Sequence, residues 1–165
     1  GEILATYTRS QGKFADLLYL DEFLTLSLED SEQMKMKSRN GTTYPVLHMD
    51  GRKVFSVAVK SLMYDVRAVI DRYNMASTDS ITIDDIDFVI PHQANLRIVT
   101  AVQEGLKLRQ DQVYREGVIK YGNTSAASIP IGYTEEWGKR PGAIEVDVAF
   151  GSGFASGAIL RREAE

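Results

Sequence analysis

A chain of 165 residues with 44% hydrophobic and 25% charged residues has the length and balance of one globular domain with a buried core. A net charge of −4 without a basic run argues against a general nucleic-acid binder, and no apolar run approaches the roughly 18 residues of a membrane span. The absence of cysteine excludes disulfides, thiolate metal sites and a cysteine nucleophile supplied by this chain.

The start, Gly1-Glu2-Ile3-Leu4, shows no signal peptide and no initiator Met, as in a processed product or a cut piece of a longer chain. A cytoplasmic location is expected. Ile3 to Thr8 alternates β-branched and aromatic residues and reads as a strand. Gln11 to Asn40 is irregular and reads as a long surface excursion with one short helix at most. His48, between Leu47 and Met49, reads as structural, and two distant histidines without cysteine make a zinc site improbable.

Arg52 to Met75 is the clearest helix. Val54, Phe55, Ala58, Val59, Leu62, Met63, Val66, Val69 and Tyr73 recur at spacings of three and four, after a turn at Asp50-Gly51. Thr82 and Asp85 form a capping-box pattern. Ile86 to Ile90 is then a strand closed by Pro91, which cannot donate to a ladder. Ala94 to Leu108 is a second helix, and Val113 to Lys120 a strand or an extended link. Thr124 to Trp137 is helical, kinked or begun afresh near Pro130. After a turn at Arg140-Pro141-Gly142, Ile144 to Phe150 and Gly157 to Arg162 are strands joined by Gly151-Ser152-Gly153. The order predicts a single α/β domain with a mixed sheet.

Two junctions carry chemistry. His92 follows the strand and Pro91 and precedes a helix; α/β proteins tend to place their sites at such a sheet edge. A neutral imidazole there donates to a carbonyl or enolate oxygen or accepts a proton, unless it merely caps the helix. Asn95, in the first turn, either orients a substrate or satisfies backbone groups. Asn123, after Gly122, offers a fixed uncharged donor of the kind an oxyanion site uses, or is a plain turn residue. Phe150-Gly151-Ser152-Gly153-Phe154 either lets backbone approach a ligand or forms a tight hairpin. Arg97, with Arg52, Lys53 and Lys107, offers a positive edge for a phosphate-bearing partner or a solvated face. The imidazole and the carboxamide look like two thirds of a Cys-His-Asn site whose nucleophile lies elsewhere.

The words Asp-Phe-Val-Ile-Pro-His-Gln-Ala-Asn-Leu-Arg-Ile (87–98), Tyr-Gly-Asn-Thr-Ser-Ala-Ala-Ser-Ile-Pro (121–130) and Ala-Phe-Gly-Ser-Gly-Phe (149–154), in that order, resemble the C-terminal half of β-ketoacyl-acyl carrier protein synthase III. Met49 to Phe55 is similar to that family's turn into its long helix. The resemblance implies a thiolase-like half, a five-stranded mixed sheet packed with helices, over residues 1–165. The cysteine-bearing N-terminal half would be furnished outside this chain. It implies decarboxylative Claisen condensation of an acyl-CoA primer with malonyl-acyl carrier protein in the initiation of fatty acid synthesis, with no cofactor or metal. His92 and Asn123 take the catalytic positions. Asn95, Phe150 and the main-chain N–H of Ser152 take substrate-binding ones, and Arg97 that of carrier-protein docking. This chain has Ser152 where the family usually has glycine, and Glu104 and Gly105 where some members have lysines. The implied partners are the N-terminal half of the same enzyme, acyl carrier protein, acyl-CoA and a second copy in a homodimer, with neither nucleic acid nor membrane. The chain alone is expected to be inactive. Alternatives are a related acyltransferase, a polyketide or quinolone starter enzyme, or a non-catalytic thiolase-like subunit.

Overall fold

The computed structural model describes residues 1–20 and 47–164. Most of the expected excursion from Gln11 to Asn40 lies outside the described residues. Its opening forms a 3-10 turn, Gly12–Leu17, and a short strand, β2 (Leu18–Leu20), which follows β1 (Glu2–Ser10). β2 pairs antiparallel with β3 (Leu47–Met49) as a separate ribbon, where His48 stacks on Tyr19 with ring centroids 4.7 Å apart.

α1 (Gly51–Ala76) matches the periodicity within a residue at each end. Asp50 caps it by accepting from the Lys53 N–H at 3.2 Å. Val54, Ala58, Leu62, Val66, Val69 and Ile70 form its buried stripe. Asp65, also on this helix and fully buried, meets Arg9 of β1 at 2.7 Å. The Thr82–Asp85 capping box is present and leads into β4 (Phe88–Pro91).

β4 runs parallel to β5 (Ile144–Gly151), which pairs antiparallel with β6 (Ala155–Arg162), which pairs antiparallel with β1. Among the described residues, the order β1-β6-β5-β4 makes a mixed sheet of four strands where five were expected. In the fifth place stands one parallel bridge, Val89 to Val113, reinforced by the Tyr114 N–H donating to the Val89 carbonyl at 2.9 Å. The segment cannot continue as a strand because α3 (Glu116–Tyr121) begins almost at once. The Val113–Lys120 stretch is therefore a bridge and then a helix.

The alternation of β4 separates two layers. Val89 packs with α1 and α2 (Leu96–Leu106) in the main core. Phe88 and Ile90 point the other way, to Tyr114, Ile129 and Tyr133. Ile129 and Tyr133 belong to α4 (Ser128–Glu136). α2, α3 and α4 together supply the crossover that parallel β4 and β5 require. Pro130 does not kink α4: it sits in the first turn, where no intrahelical N–H is needed. Gly132 allows α4 to lie close, since a Cβ there would come within 2.8 Å of Ile90 Cγ2. α4 covers β4, β5 and the C-terminal end of β6, where Tyr133 lies against Arg161, so β1 and the first part of β6 keep an open face bearing Ala155, Gly157 and Ile159.

Candidate active site

Each predicted side chain is delivered by a backbone junction. The His92 N–H donates to the Val148 carbonyl at 2.8 Å, adding one rung to the parallel ladder beyond Pro91 and pinning His92 at the C-terminal edge of β4. Three residues on, the Asn95 carboxamide oxygen accepts from the Ile98 N–H at 2.9 Å and caps α2. The cap leaves the amide nitrogen of Asn95 as a donor. Gly122 turns the chain with φ 70°, open to glycine at little strain, and hands it to Asn123. The Asn123 carboxamide oxygen accepts from the Ser125 N–H at 2.9 Å, so its NH₂ is the group left to act. A 3-10 turn, Ser125–Ala127, then starts α4 at Ser128. Nδ1 of His92 and Oγ of Ser128 stand 2.6 Å apart.

These junctions meet around one cavity of roughly 690 Å3. His92, Asn95, Asn123, Phe150 and Ser152 all line it. Phe150 sets its ring edge-on to His92, centroids 5.3 Å apart, and stacks on Phe154. Leu47, Met49, Val54, Phe55 and Ile98 supply an apolar wall. The Ser152 hydroxyl donates to the Leu18 carbonyl at 2.9 Å, tying the β5–β6 loop to β2. Among the described residues, no Asp, Glu, Lys or Arg lines the cavity. Burial holds the His92 pKa below its ordinary 6.5, so the imidazole is neutral near pH 7. The arrangement presents uncharged donors to whatever oxygen occupies it. Asn123 is nonetheless exposed in this chain, so the cavity is not closed by these residues alone.

Arg97 is the predicted site residue that stands outside the cavity. It lines a neighbouring groove with Arg52, and its guanidinium carbon lies 5.5 Å from the Phe55 ring centroid. Gly51, Phe55 and Asn95 line both spaces, so Arg97 and Arg52 sit at the rim. His48 takes no part in either. No group of three or more His, Cys, Asp or Glu able to hold a metal ion occurs among the described residues.

Two residues central to the geometry lie within the words quoted above but had no role read for them in sequence. Gln93, 1% exposed, donates to the carbonyls of Pro91 and Tyr114 at 2.7 and 3.1 Å and accepts from the Val118 N–H at 3.1 Å. It holds the end of β4 to the chain entering α3. Ser128 ends the small-residue run after Asn123, but nothing in that run says it reaches a histidine 36 residues earlier.

Residues 76–162 match the family described as 3-oxoacyl-[acyl-carrier-protein (ACP)] synthase III C terminal. The chain is 40% identical over 162 residues to the β-ketoacyl-[acyl-carrier-protein] synthase III of Campylobacter jejuni, covering 96% of this chain and 44% of that protein. The Sulfurimonas denitrificans protein of the same name is 37% identical over 161 residues, covering 96% and 45%. The crystal structure of 3-oxoacyl-[acyl-carrier-protein] synthase III from Aquifex aeolicus superposes with a TM-score of 0.75 at 32% identity, covering 97% of this chain and 44% of that one. The chain thus spans less than half the length of the curated relatives it matches.

Proposed function

The chain belongs to the 3-oxoacyl-[acyl-carrier-protein] synthase III C-terminal family, and from that premise we propose that it is the C-terminal half of a β-ketoacyl-acyl carrier protein synthase III that condenses an acyl-CoA primer with malonyl-acyl carrier protein. The observation that carries this reading is the single cavity in which the NH₂ of Asn123 and the ring of His92 are both held by their other ends.

The chemistry asks for such a pair. In the malonyl thioester the bond from Cα to the carboxylate breaks, CO₂ leaves, and the electron pair moves onto the thioester as an enolate. His92 and Asn123 donate to the thioester oxygen as its charge grows. Each fixed donor of this kind is worth about 2.7–4 kcal/mol. The enolate carbon then attacks the acyl carbon of an acyl-cysteine, and collapse of the tetrahedral adduct expels the thiolate and leaves a β-ketoacyl thioester. Neutral His92 serves this step without losing or gaining a proton. The thiol must come from outside this chain, which contains no cysteine. Phe150 and the apolar wall exclude water from the reacting carbon, and the main-chain N–H of Ser152 is the further oxyanion donor. Asn95 supports the site through its free amide. Arg97, with Arg52, receives the phosphate-bearing arm of the carrier protein at the rim.

The partner that supplies the thiol also has a place to sit. Ile129, Ala149 and Phe150 line both the cavity and the open face over β6, so a body packed on that face closes the site in the same act. The partner is the N-terminal half of the same enzyme, and the intact protein acts as a homodimer. In the intact enzyme, His92→Ala and Asn123→Ala should each lower malonyl decarboxylation by about 100-fold or more. Near-wild-type rates would remove both residues from the site. The chain by itself should neither decarboxylate nor condense, and condensation without an added partner would refute the shared-site reading.

A further inference from the structure

We propose that the Ser128 hydroxyl donates its proton to Nδ1 of His92 and so fixes the imidazole in the tautomer that carries hydrogen on Nε2, making Ser128 a positioning residue for the site. This rests on the reading of His92 as a donor and adds the group that makes it one. The contact is 2.6 Å long and Ser128 is 2% exposed. Among the described residues, His92 is the sole hydrogen-bond partner of the Ser128 hydroxyl.

A serine hydroxyl has one proton to give and two lone pairs to receive. Were Nδ1 protonated and donating to Oγ, the hydroxyl proton would be left buried with no acceptor, the less tolerable of the two defects. With the hydroxyl donating, its proton is satisfied, Nδ1 is satisfied, and the remaining ring hydrogen lies on Nε2. Because Nδ1 is engaged at Ser128 and the ring lines the cavity, Nε2 is the nitrogen available to a substrate oxygen.

The type of partner matters as much as its position. A carboxylate behind a histidine makes the ring more basic and suits it to taking a proton. A hydroxyl that gives a hydrogen bond occupies the Nδ1 lone pair, draws density from the ring and makes Nε2–H the better donor. No Asp or Glu lines the cavity among the described residues, so no group there opposes that setting. The backbone serves the same end. Ser128 is the first residue of α4, and α4 is held close to β4 through Gly132 against Ile90 and Tyr114. His92 is fixed at the end of the same strand β4. The hydroxyl and the ring are thus borne by two elements packed on each other.

The test is nitrogen NMR of the full-length enzyme with 15N-histidine, the His92 signals being assigned by their loss in His92→Gln. The wild-type spectrum should show a proton on Nε2 and an unprotonated, hydrogen-bonded Nδ1. Ser128→Ala should move the ring toward a mixture of tautomers and lower the kcat for malonyl decarboxylation about tenfold, with KM held within about twofold. A wild-type ring protonated on Nδ1 would overturn the proposal without any variant being made, and so would a Ser128→Ala spectrum identical to wild type. A changed tautomer with unchanged decarboxylation would support the role of Ser128 and instead overturn the donor role given to His92.

Discussion

At His92, burial and one hydroxyl decide what a titratable ring does. Desolvation lowers its pKa from the ordinary 6.5, which keeps it neutral and gives its protonation a cost in stability. Below 6.5 the unfolded chain takes up a proton that the folded chain refuses. Folded stability therefore falls as pH drops from 6.5 through the lowered folded value, and this contribution is level above 6.5. Thermal unfolding of the intact protein between pH 8 and pH 5 should show a steeper acid-side loss for wild type than for His92→Gln. Parallel profiles would mean that the ring is not buried as described. The contrast with Asn123 is instructive. The amide cannot titrate, the 2.9 Å bond from the Ser125 N–H orients it, and its surroundings decide exposure and not charge.

At the scale of elements, helix ends and strand ends do double duty. Asn95 is at once the N-cap of α2 and a cavity-lining residue, using its oxygen for the cap and keeping its nitrogen for the site. The two uses separate by substitution. Asn95→Ala should cost about 1 kcal/mol in chemical denaturation by loss of the cap. Asn95→Asp, which retains the capping oxygen and removes the amide donor, should keep the stability and lose part of the activity. Equal activity of Asn95→Asp and wild type would leave Asn95 with the cap alone. The same economy appears at β4: Pro91 ends the strand, the next N–H extends its ladder to Val148, and the buried Gln93 binds that end to the chain entering α3.

For the whole molecule, the decisive feature is a sheet covered fully on one side and partly on the other. α1 and α2 bury Val146, Val148, Ala158 and Leu160. On the opposite side α4 reaches β6 only near Arg161, leaving Ile159 37% exposed beside Ala155 and Gly157 over a hollow of about 510 Å3. An apolar surface of that kind associates when its natural cover is missing. The isolated chain should therefore self-associate at micromolar concentrations, and Ile159→Lys should raise the monomer fraction in sedimentation velocity. A clean wild-type monomer at high concentration would show that the face needs no cover. The buried ions on this side lie where α4 does reach: Arg161 bridges Asp147 at 3.0 Å and Glu163 at 2.7 Å, with its guanidinium carbon 4.5 Å from the Tyr133 ring centroid.

The sequence by itself determined the long elements and marked the junctions that line the cavity. Periodicity marked α1 because nine apolar positions at helical spacing admit one reading, and Thr82 with Asp85 marked its own cap because capping is local. The words around His92, Asn123 and Phe150 pointed to the family and to a shared site, but no local rule says that they face one cavity. Only the tertiary structure decided that convergence, since it depends on β4 and β5 lying parallel as neighbours and on how closely α4 packs over them. It also decided that Val113 contributes a single bridge where a strand or an extended link was expected, because α3 begins three residues later and ends the ladder there. And it decided the pairing of Ser128 with His92, a contact between residues 36 apart that no spacing along the chain encodes.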